Sequence, residues 1–271
     1  MVKEIIYGTT NTYLIKGDKG SILFDTGWAG TLQAFCHAMG AAGERVQDIT
    51  YILISHYHPD HMGIAQDIAN IGPAILAADI QKDYIHSSDK ILARDKREAF
   101  TPIDDEKLIF VTVDESREFL SRIGISGQIY ETPGHSDDSI SLMLDSGELF
   151  VGDLNPLYEL ELHKETKIEE SWNILLSLHP RKIFYGHAPM ADLKKNSLGK
   201  LLGKTAPSDI YSLVKKITRC VDKGYTKDAI VSKTGADPQF VEDVTRMYVT
   251  HPGVTVQGIL DRVELRRNGI R

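Results

Sequence analysis

The first part of the chain is patterned in short apolar runs separated by turn signals. Glu4–Tyr7, Thr12–Ile15 and Ile22–Asp25 read as strands, punctuated by Gly8-Thr9-Thr10-Asn11 and Gly17-Asp18-Lys19-Gly20. A helical pattern over about Thr31–Ala42 precedes the apolar run Tyr51-Ile52-Leu53-Ile54. Gly63–Ile71 then reads as a helix stopped by Gly72-Pro73, and Ala74–Ala77 as a short strand. Asp79–Glu106 is polar and charged, helical in part, and has the look of an insertion that covers something. Strand signals return at Leu108–Val113, Gln128–Glu131, Ile140–Leu144 and Glu148–Val151, followed by a helix over Ile168–Leu178 and a strand at Lys182–Tyr185. With no Gly-rich βαβ fingerprint and no internal repeat, two strand sets punctuated by helices predict two mixed sheets packed together, helices outside.

Beyond Asp192 only helical periodicity remains. A boundary in Gly199–Ser208 divides the chain into a body, residues 1–203, and a helical appendage, residues 204–271. In Ile210–Val221 the residues Leu213, Val214, Ile217 and Val221 share one side. Lys227–Lys233 and Pro238–Tyr248 predict two more helices, with Asp237 as the cap before Pro238 in a helix-turn-helix-like arrangement. A last helix is expected over about Val256–Arg267.

Composition narrows the class. The 271 residues are 42% hydrophobic and 25% charged, as in ordinary globular chains. No apolar run approaches the roughly 20 residues that a membrane span requires. Met1-Val2-Lys3-Glu4 lacks the basic-then-apolar pattern of a signal peptide. Two distant cysteines, Cys36 and Cys220, make no disulfide framework; they read as small core residues in a reducing cytoplasm. The net charge of −7 is uneven: residues 1–203 carry 19 Lys+Arg against 30 Asp+Glu, residues 204–271 carry 12 against 8. An acidic body disfavours nucleic acid. The basic tail leaves DNA binding as an alternative, but its would-be recognition helix, Pro238-Gln239-Phe240-Val241-Glu242-Asp243, starts acidic, so a helical cap or dimerisation element is the preferred reading.

The chemistry concentrates in Ile54-Ser55-His56-Tyr57-His58-Pro59-Asp60-His61-Met62-Gly63, directly after an apolar strand. Three later pieces repeat its grammar: Thr132-Pro133-Gly134-His135-Ser136, Leu149-Phe150-Val151-Gly152-Asp153 and Phe184-Tyr185-Gly186-His187. Each delivers a metal-type side chain just past a strand, with glycine before it to let the backbone turn. His56 and His58, two apart, point the same way on an extended strand end; Asp60 and His61 lie beyond Pro59 and can face another point. The seven residues therefore suit two ions: His56, His58 and His135 on one, Asp60, His61 and His187 on the other, Asp153 bridging. Imidazole and carboxylate without thiolate favour two Zn²⁺, with Mn²⁺ or Fe as alternatives. His37, His163, His179 and His251 have no such context. Asp137 and Asp138 read as turn or cap residues, Tyr57 as a packing residue, and His86 as a solvent-exposed residue of the insertion.

His56-x-His58-x-Asp60-His61, then His135, Asp153 and His187 in that order, closely resembles the metallo-β-lactamase superfamily, above all its glyoxalase II-like and lactonase-like hydrolases. Phe24-Asp25-Thr26-Gly27 is similar to that superfamily's early Asp-Thr-Gly turn. The resemblance covers about residues 1–195 and implies a four-layer αβ/βα sandwich and a two-metal site. Zinc β-lactamases commonly carry cysteine where Asp153 stands, which argues against antibiotic hydrolysis. Flavodiiron proteins carry Glu in place of His58, which argues against oxygen reduction. The implied activity is hydrolysis of a small carboxylic ester, thioester or lactone by a metal-bridging hydroxide, with phosphodiester hydrolysis on the same metals as the alternative. Asp60 is expected to accept a proton and Asp25 to orient the ligating imidazoles. Tyr158, five residues after Asp153, matches the position from which some lactonase-like relatives bind the substrate carbonyl; packing of its loop is the competing role.

Overall fold

The computed structural model describes residues 1–94, 99–193, 208–236, 238–250, 256, 258 and 259. The chain divides into two compact units, Met1–Ser197 and Leu198–Arg271. Of the boundary region Gly199–Ser208 only Ser208 is among the described residues.

In the first unit, β1 (Val2–Ile5), β2 (Thr12–Lys16), β3 (Ser21–Phe24), β4 (Tyr51–Leu53), β5 (Ala74–Ala78) and β6 (Leu108–Val111) form one sheet in that order. Strands β1 to β3 pair antiparallel and β3 to β6 parallel. The second sheet runs β11 (Ala191–Asp192), β10 (Lys182–Phe184), β9 (Glu148–Phe150), β8 (Ile140–Leu144), β7 (Gly127–Glu131), and is antiparallel except for β9 beside β10.

Strand periodicity explains the layering. In β2 to β5 alternate residues enter two different cores. Tyr13, Ile15, Ile22, Phe24, Leu53, Leu76 and Ala78 face the space between the sheets, together with Ile129, Ile140, Leu142 and Phe150 of the second sheet. Leu14, Leu23, Ile52, Ile75 and Ala77 face the opposite side, where Phe35 and Met39 of α1 (Leu32–Ala41) cover them. A sheet buried on both faces needs continuous apolar runs, which is what Ile22-Leu23-Phe24 and Ile52-Leu53 provide. Phe150 joins the sheets through Tyr13 at 5.4 Å and Phe24 at 5.7 Å, and stacks on Phe184 of its own sheet at 4.8 Å. Each such side chain contributes roughly 1.5–3 kcal/mol by burial. Helix α6 (Lys167–Ser177) buries Trp172 and Leu175.

Several elements depart from the sequence reading. Strand β1 ends at Ile5, because Tyr7 turns away to pack edge-on against Phe35 at 5.3 Å and to donate its hydroxyl to Thr26 O. The expected helix over Gly63–Ile71 is the shorter α3 (Ala65–Ala69), preceded by a separate turn of helix, α2 (Pro59–Met62). The break follows from a parallel bridge between Met62 and Gly27; a Cβ at Gly63 would lie 2.7 Å from Gly27 O. Short helices α4 (Asp89–Leu92) and α5 (Ser116–Arg122) also form, α4 inside the expected insertion and α5 where no element was expected. Helix α5 buries few of its residues, which leaves little periodicity to read.

The second unit contains α7 (Ser208–Asp222), α8 (Lys227–Thr234) and α9 (Pro238–Thr250). Val214, Ile217, Ile230, Val241 and Val244 form its core, with Leu213 and Val221 packed at the edge. Thr226 Oγ1 caps α8 by accepting from Ala229 N, and Gly235 closes it at φ 68°. Asp237, the expected cap of α9, lies outside the described residues, as does the expected helix Val256–Arg267 apart from Val256, Gly258 and Ile259. Among the described residues, no helix is long and apolar enough to cross a membrane.

Candidate metal centre

Two parallel strand pairs build the site. Strands β3 and β4 run in register, Phe24 opposite Leu53, so Asp25 and Ser55 emerge side by side; Asp25 N donates to Leu53 O (3.0 Å) and Ser55 N to Asp25 Oδ1 (2.7 Å). Strands β9 and β10 run in register, Phe150 opposite Phe184, so Gly152-Asp153 and Gly186-His187 also leave together, joined by Gly186 N to Gly152 O at 2.6 Å. The carboxyl ends of parallel strands are where α/β sheets collect ligands. Tyr57 N donates to Asp138 Oδ2 (2.7 Å), and Gln81 Nε2 donates to Ile54 O (3.0 Å) and Asp138 O (3.1 Å), so the histidine loop is held from both sides.

The structure brings His56, His58, Asp60, His61, His135, Asp153 and His187 together. His56 Nε2 lies 2.9 Å from His58 Nδ1, which lies 3.1 Å from His135 Nε2. His187 Nε2 lies 2.9 Å from Asp60 Oδ2, and His61 Nε2 lies 3.7 Å from the same oxygen. Asp153 stands between them: its Oδ2 is 3.6 Å from His135 Nε2 and 3.5 Å from His187 Nε2, and its Oδ1 is 3.2 Å from His61 Nε2. Three overlapping sets, His56/His58/His135, His56/His61/Asp153 and Asp60/His61/His187, have donor atoms all within 4.8 Å of one another and could each hold an ion.

A cation fits these residues. His61 Nε2 and Asp153 Oδ1 are fully buried and make no hydrogen bond, although they face each other. Buried polar atoms without partners are rare and costly, and a metal ion between them removes the cost. The glycines keep the space open. A Cβ at Gly186 would run into Asp153 Oδ1 and sit 2.8 Å from His61 Cε1; Gly152, at φ 54°, would strike the Ser55 side chain.

The charge balance is local. Burial pushes the His56 imidazolium well below its usual range, reinforced by His61. Burial also opposes charge on His61, but Asp25 and Asp153 outweigh it and raise that ring well above its usual value. Burial raises the Asp153 carboxyl, yet the His61, His187 and His56 rings hold it well below the usual carboxylate range. A bound cation would take the place of the protons that these carboxylates keep on the neighbouring imidazoles.

Residues behind the site complete it, and several escaped the sequence reading. Asp25, in a left-handed conformation (φ 59°), accepts from His61 Nδ1 at 2.9 Å through Oδ2. The turn read only as Gly8-Thr9-Thr10-Asn11 frames the other end: His187 Nδ1 donates to Thr9 O (2.9 Å), Thr10 Oγ1 to Asp60 O (2.8 Å), and Asn11 Nδ2 to Tyr185 O (3.0 Å) and Ala188 O (3.1 Å). Asp138, expected to be a turn or cap residue, is buried and holds Tyr57 N; Asp137 pairs with Lys167 at the surface. Tyr57 packs in the core. His86 is half exposed between Asp89 and Asp105 and touches none of the seven. Tyr158 falls in the 3-10 helix Leu157–His163, and its side chain lies outside the described residues.

The profile of the metallo-β-lactamase superfamily matches residues 6–187, spanning all seven clustered side chains and ending on His187. The chain belongs to the metallo-β-lactamase superfamily. A superfamily relative from Caenorhabditis elegans, named beta-lactamase-like protein 2 homolog, is 31% identical over 193 residues, 68% of this chain and 57% of its own. The atrochrysone carboxyl ACP thioesterase of Emericella nidulans is 25% identical over 209 residues, 73% of this chain and 56% of its own. This chain thus spans a little over half the length of those relatives. Among solved structures, a metallo-β-lactamase family protein of Thermus thermophilus shares the fold with a TM-score of 0.54 at 16% identity, covering 99% of this chain and 94% of that one. Its fold is of the α/β class, as the superfamily resemblance implied.

Proposed function

We propose that the protein uses two divalent cations, zinc in the first instance, to hydrolyse a small carboxylic ester, thioester or lactone. The observation that carries this reading is the buried meeting of His61 Nε2 and Asp153 Oδ1, 3.2 Å apart and without a hydrogen bond, between the two histidine sets. His56, His58 and His135 would hold one ion, Asp60, His61 and His187 the other, and Asp153 would reach both. When bound, such a pair supplies Lewis acidity toward an acyl oxygen and lowers the pKa of a held water toward neutrality. The chain's own residues do the rest. Asp25 and Thr9 O fix the ring directions of His61 and His187. Asp60, its side chain part-exposed at the rim, takes up the proton released as water attacks. Tyr158 is proposed to bind the substrate carbonyl through a hydrogen bond from its phenol.

Acyl rather than phosphoryl transfer is favoured by the thioesterase name of the Emericella nidulans relative and by the acidic body, which repels polyanions. Free Cys36 and Cys220 fit a reducing compartment, so we assign the reaction to the cytoplasm. For the helical unit we propose a cap or dimerisation role: Glu242 and Asp243 place acidic charge in the first half of α9, where a DNA-reading helix would meet phosphate, and pair with Lys227 and Arg246. The deciding experiment assays the protein, purified without chelator, on lactones, thioesters, aryl esters and bis-aryl phosphodiesters. Turnover of one acyl class is expected; turnover of phosphodiesters alone would overturn the acyl assignment.

A further inference from the structure

Ser55 was passed over in the sequence because serine before histidine at a strand end has no signature of its own. In the structure it is 1% exposed and stands at the centre of the braces. Its backbone N donates to Asp25 Oδ1 at 2.7 Å, its Oγ lies 2.9 Å from Asp25 Oδ2, and the same Oγ lies 3.0 Å from His56 Nδ1. Asp25 Oδ2 also receives His61 Nδ1 at 2.9 Å. Asp25, Ser55, His56 and His61 are all essentially excluded from solvent, so water cannot repair a mismatched contact.

Proton counting leaves one arrangement. An ionised carboxylate only accepts, so the single Ser55 hydroxyl proton goes to Asp25 Oδ2. The oxygen of Ser55 can then only accept from His56, which requires the proton of that ring to sit on Nδ1. The reverse assignment, with Ser55 donating to His56, would set two lone pairs against each other at 2.9 Å between Ser55 Oγ and Asp25 Oδ2. His61 carries its proton on Nδ1 for the same reason, given directly to Asp25. His56 therefore turns a bare Nε2 toward the cluster, 2.9 Å from His58, while His61, its Nδ1 committed to Asp25, presents its Nε2 to Asp153 at 3.2 Å.

We infer that Ser55 is a positioning residue: its hydroxyl relays the Asp25 carboxylate to His56, so that one carboxylate sets the tautomer of an imidazole in each of the two ligand sets. Asp25 reaches His61 by itself and His56 only through Ser55. Ser55 Oγ also lies 3.5 Å from His61 Nδ1, but that nitrogen has Asp25 Oδ2 at 2.9 Å, so removing the hydroxyl uncouples chiefly the His56 side. The space for this relay is made by Gly152, where any Cβ would collide with Ser55 Oγ. The inference rests on reading the cluster as a metal site, and the test separates the two.

The test uses the full chain as wild type, Ser55→Ala and Ser55→Thr. Nitrogen-15 NMR of the histidine rings in metal-free protein is expected to show His56 and His61 protonated at Nδ1 in wild type and in Ser55→Thr, which keeps the hydroxyl. In Ser55→Ala only His56 should lose that preference. Cobalt titration of the same proteins should show one of two equivalents weakened by about tenfold to a hundredfold in Ser55→Ala, the other unchanged, and recovery in Ser55→Thr. A wild-type His56 protonated at Nε2 would overturn the inference, as would Ser55→Ala protein that keeps the His56 tautomer or loses both equivalents together. Should Ser55→Ala not fold, the wild-type tautomer decides alone. Wild-type protein with the expected tautomers that takes up no cobalt would refute the metal reading and leave the relay standing.

Discussion

Behind Asp60, His61 and His187 the chain braces every ring: Asp25 receives His61 Nδ1, Thr9 O receives His187 Nδ1, and Thr10 holds the backbone of Asp60. Behind His56, His58 and His135 it braces one ring, through Ser55. Among the described residues, neither His58 Nε2 nor His135 Nδ1 has a hydrogen-bond partner. The first set is preorganised by protein contacts from two segments, the end of β3 and the turn between β1 and β2. The second is aligned chiefly by its shared convergence point, which a bound ion would supply. One binding face can thus combine a rigid half and a half that is completed by its ligand.

The harshest break of this contrast is Asp153→Ala, which removes the one side chain that approaches both halves. Both metal equivalents should be lost and activity should fall to the level of chelated protein, read by elemental analysis and turnover; retention of two tightly bound ions would contradict the bridging position. Asp25→Asn comes next. It disturbs His61 directly and His56 through Ser55, so both equivalents should weaken by roughly tenfold to a hundredfold in a metal titration. Asn11→Ala sharpens the comparison, since Asn11 ties the backbone on either side of His187 and nothing near His58 or His135. Only one equivalent should weaken, by about tenfold; an equal loss at both would show that the halves are not separately supported. Tyr158→Phe should have the smallest effect: KM for an ester substrate rises with little change in metal content, and an unchanged KM would return Tyr158 to a packing role.

The same contrast explains what could be read in advance. His56, His58, Asp60, His61, His135, Asp153 and His187 announced themselves because ligand-type side chains after apolar runs are chemically unusual. The two sheets were legible because Ile22-Leu23-Phe24 and Tyr51-Ile52-Leu53 can only be buried strands. The braces were not legible. Ser55, Thr9 and Asn11 are small polar residues, or backbone atoms, whose partners lie 1 to 178 positions away, and nothing in their spacing marks the contact. Helix α5 and the two-residue β11 were missed for a related reason: neither carries enough buried positions to establish a period. The start of α3 two residues later than expected goes with a tertiary contact of Gly63 with the loop after β3, which spacing does not reveal.

The central claim, a pair of cations held by these seven side chains, is tested most directly by anomalous X-ray diffraction from crystals of protein purified without chelator. The account predicts two peaks. One should lie at about 2.0–2.1 Å from His56 Nε2, His58 Nδ1 and His135 Nε2, the other at similar distance from His61 Nε2 and His187 Nε2, with Asp153 reaching both. Zinc-rich crystals with no peak inside the cluster, or with Asp153 and His187 turned out of it, would contradict the account.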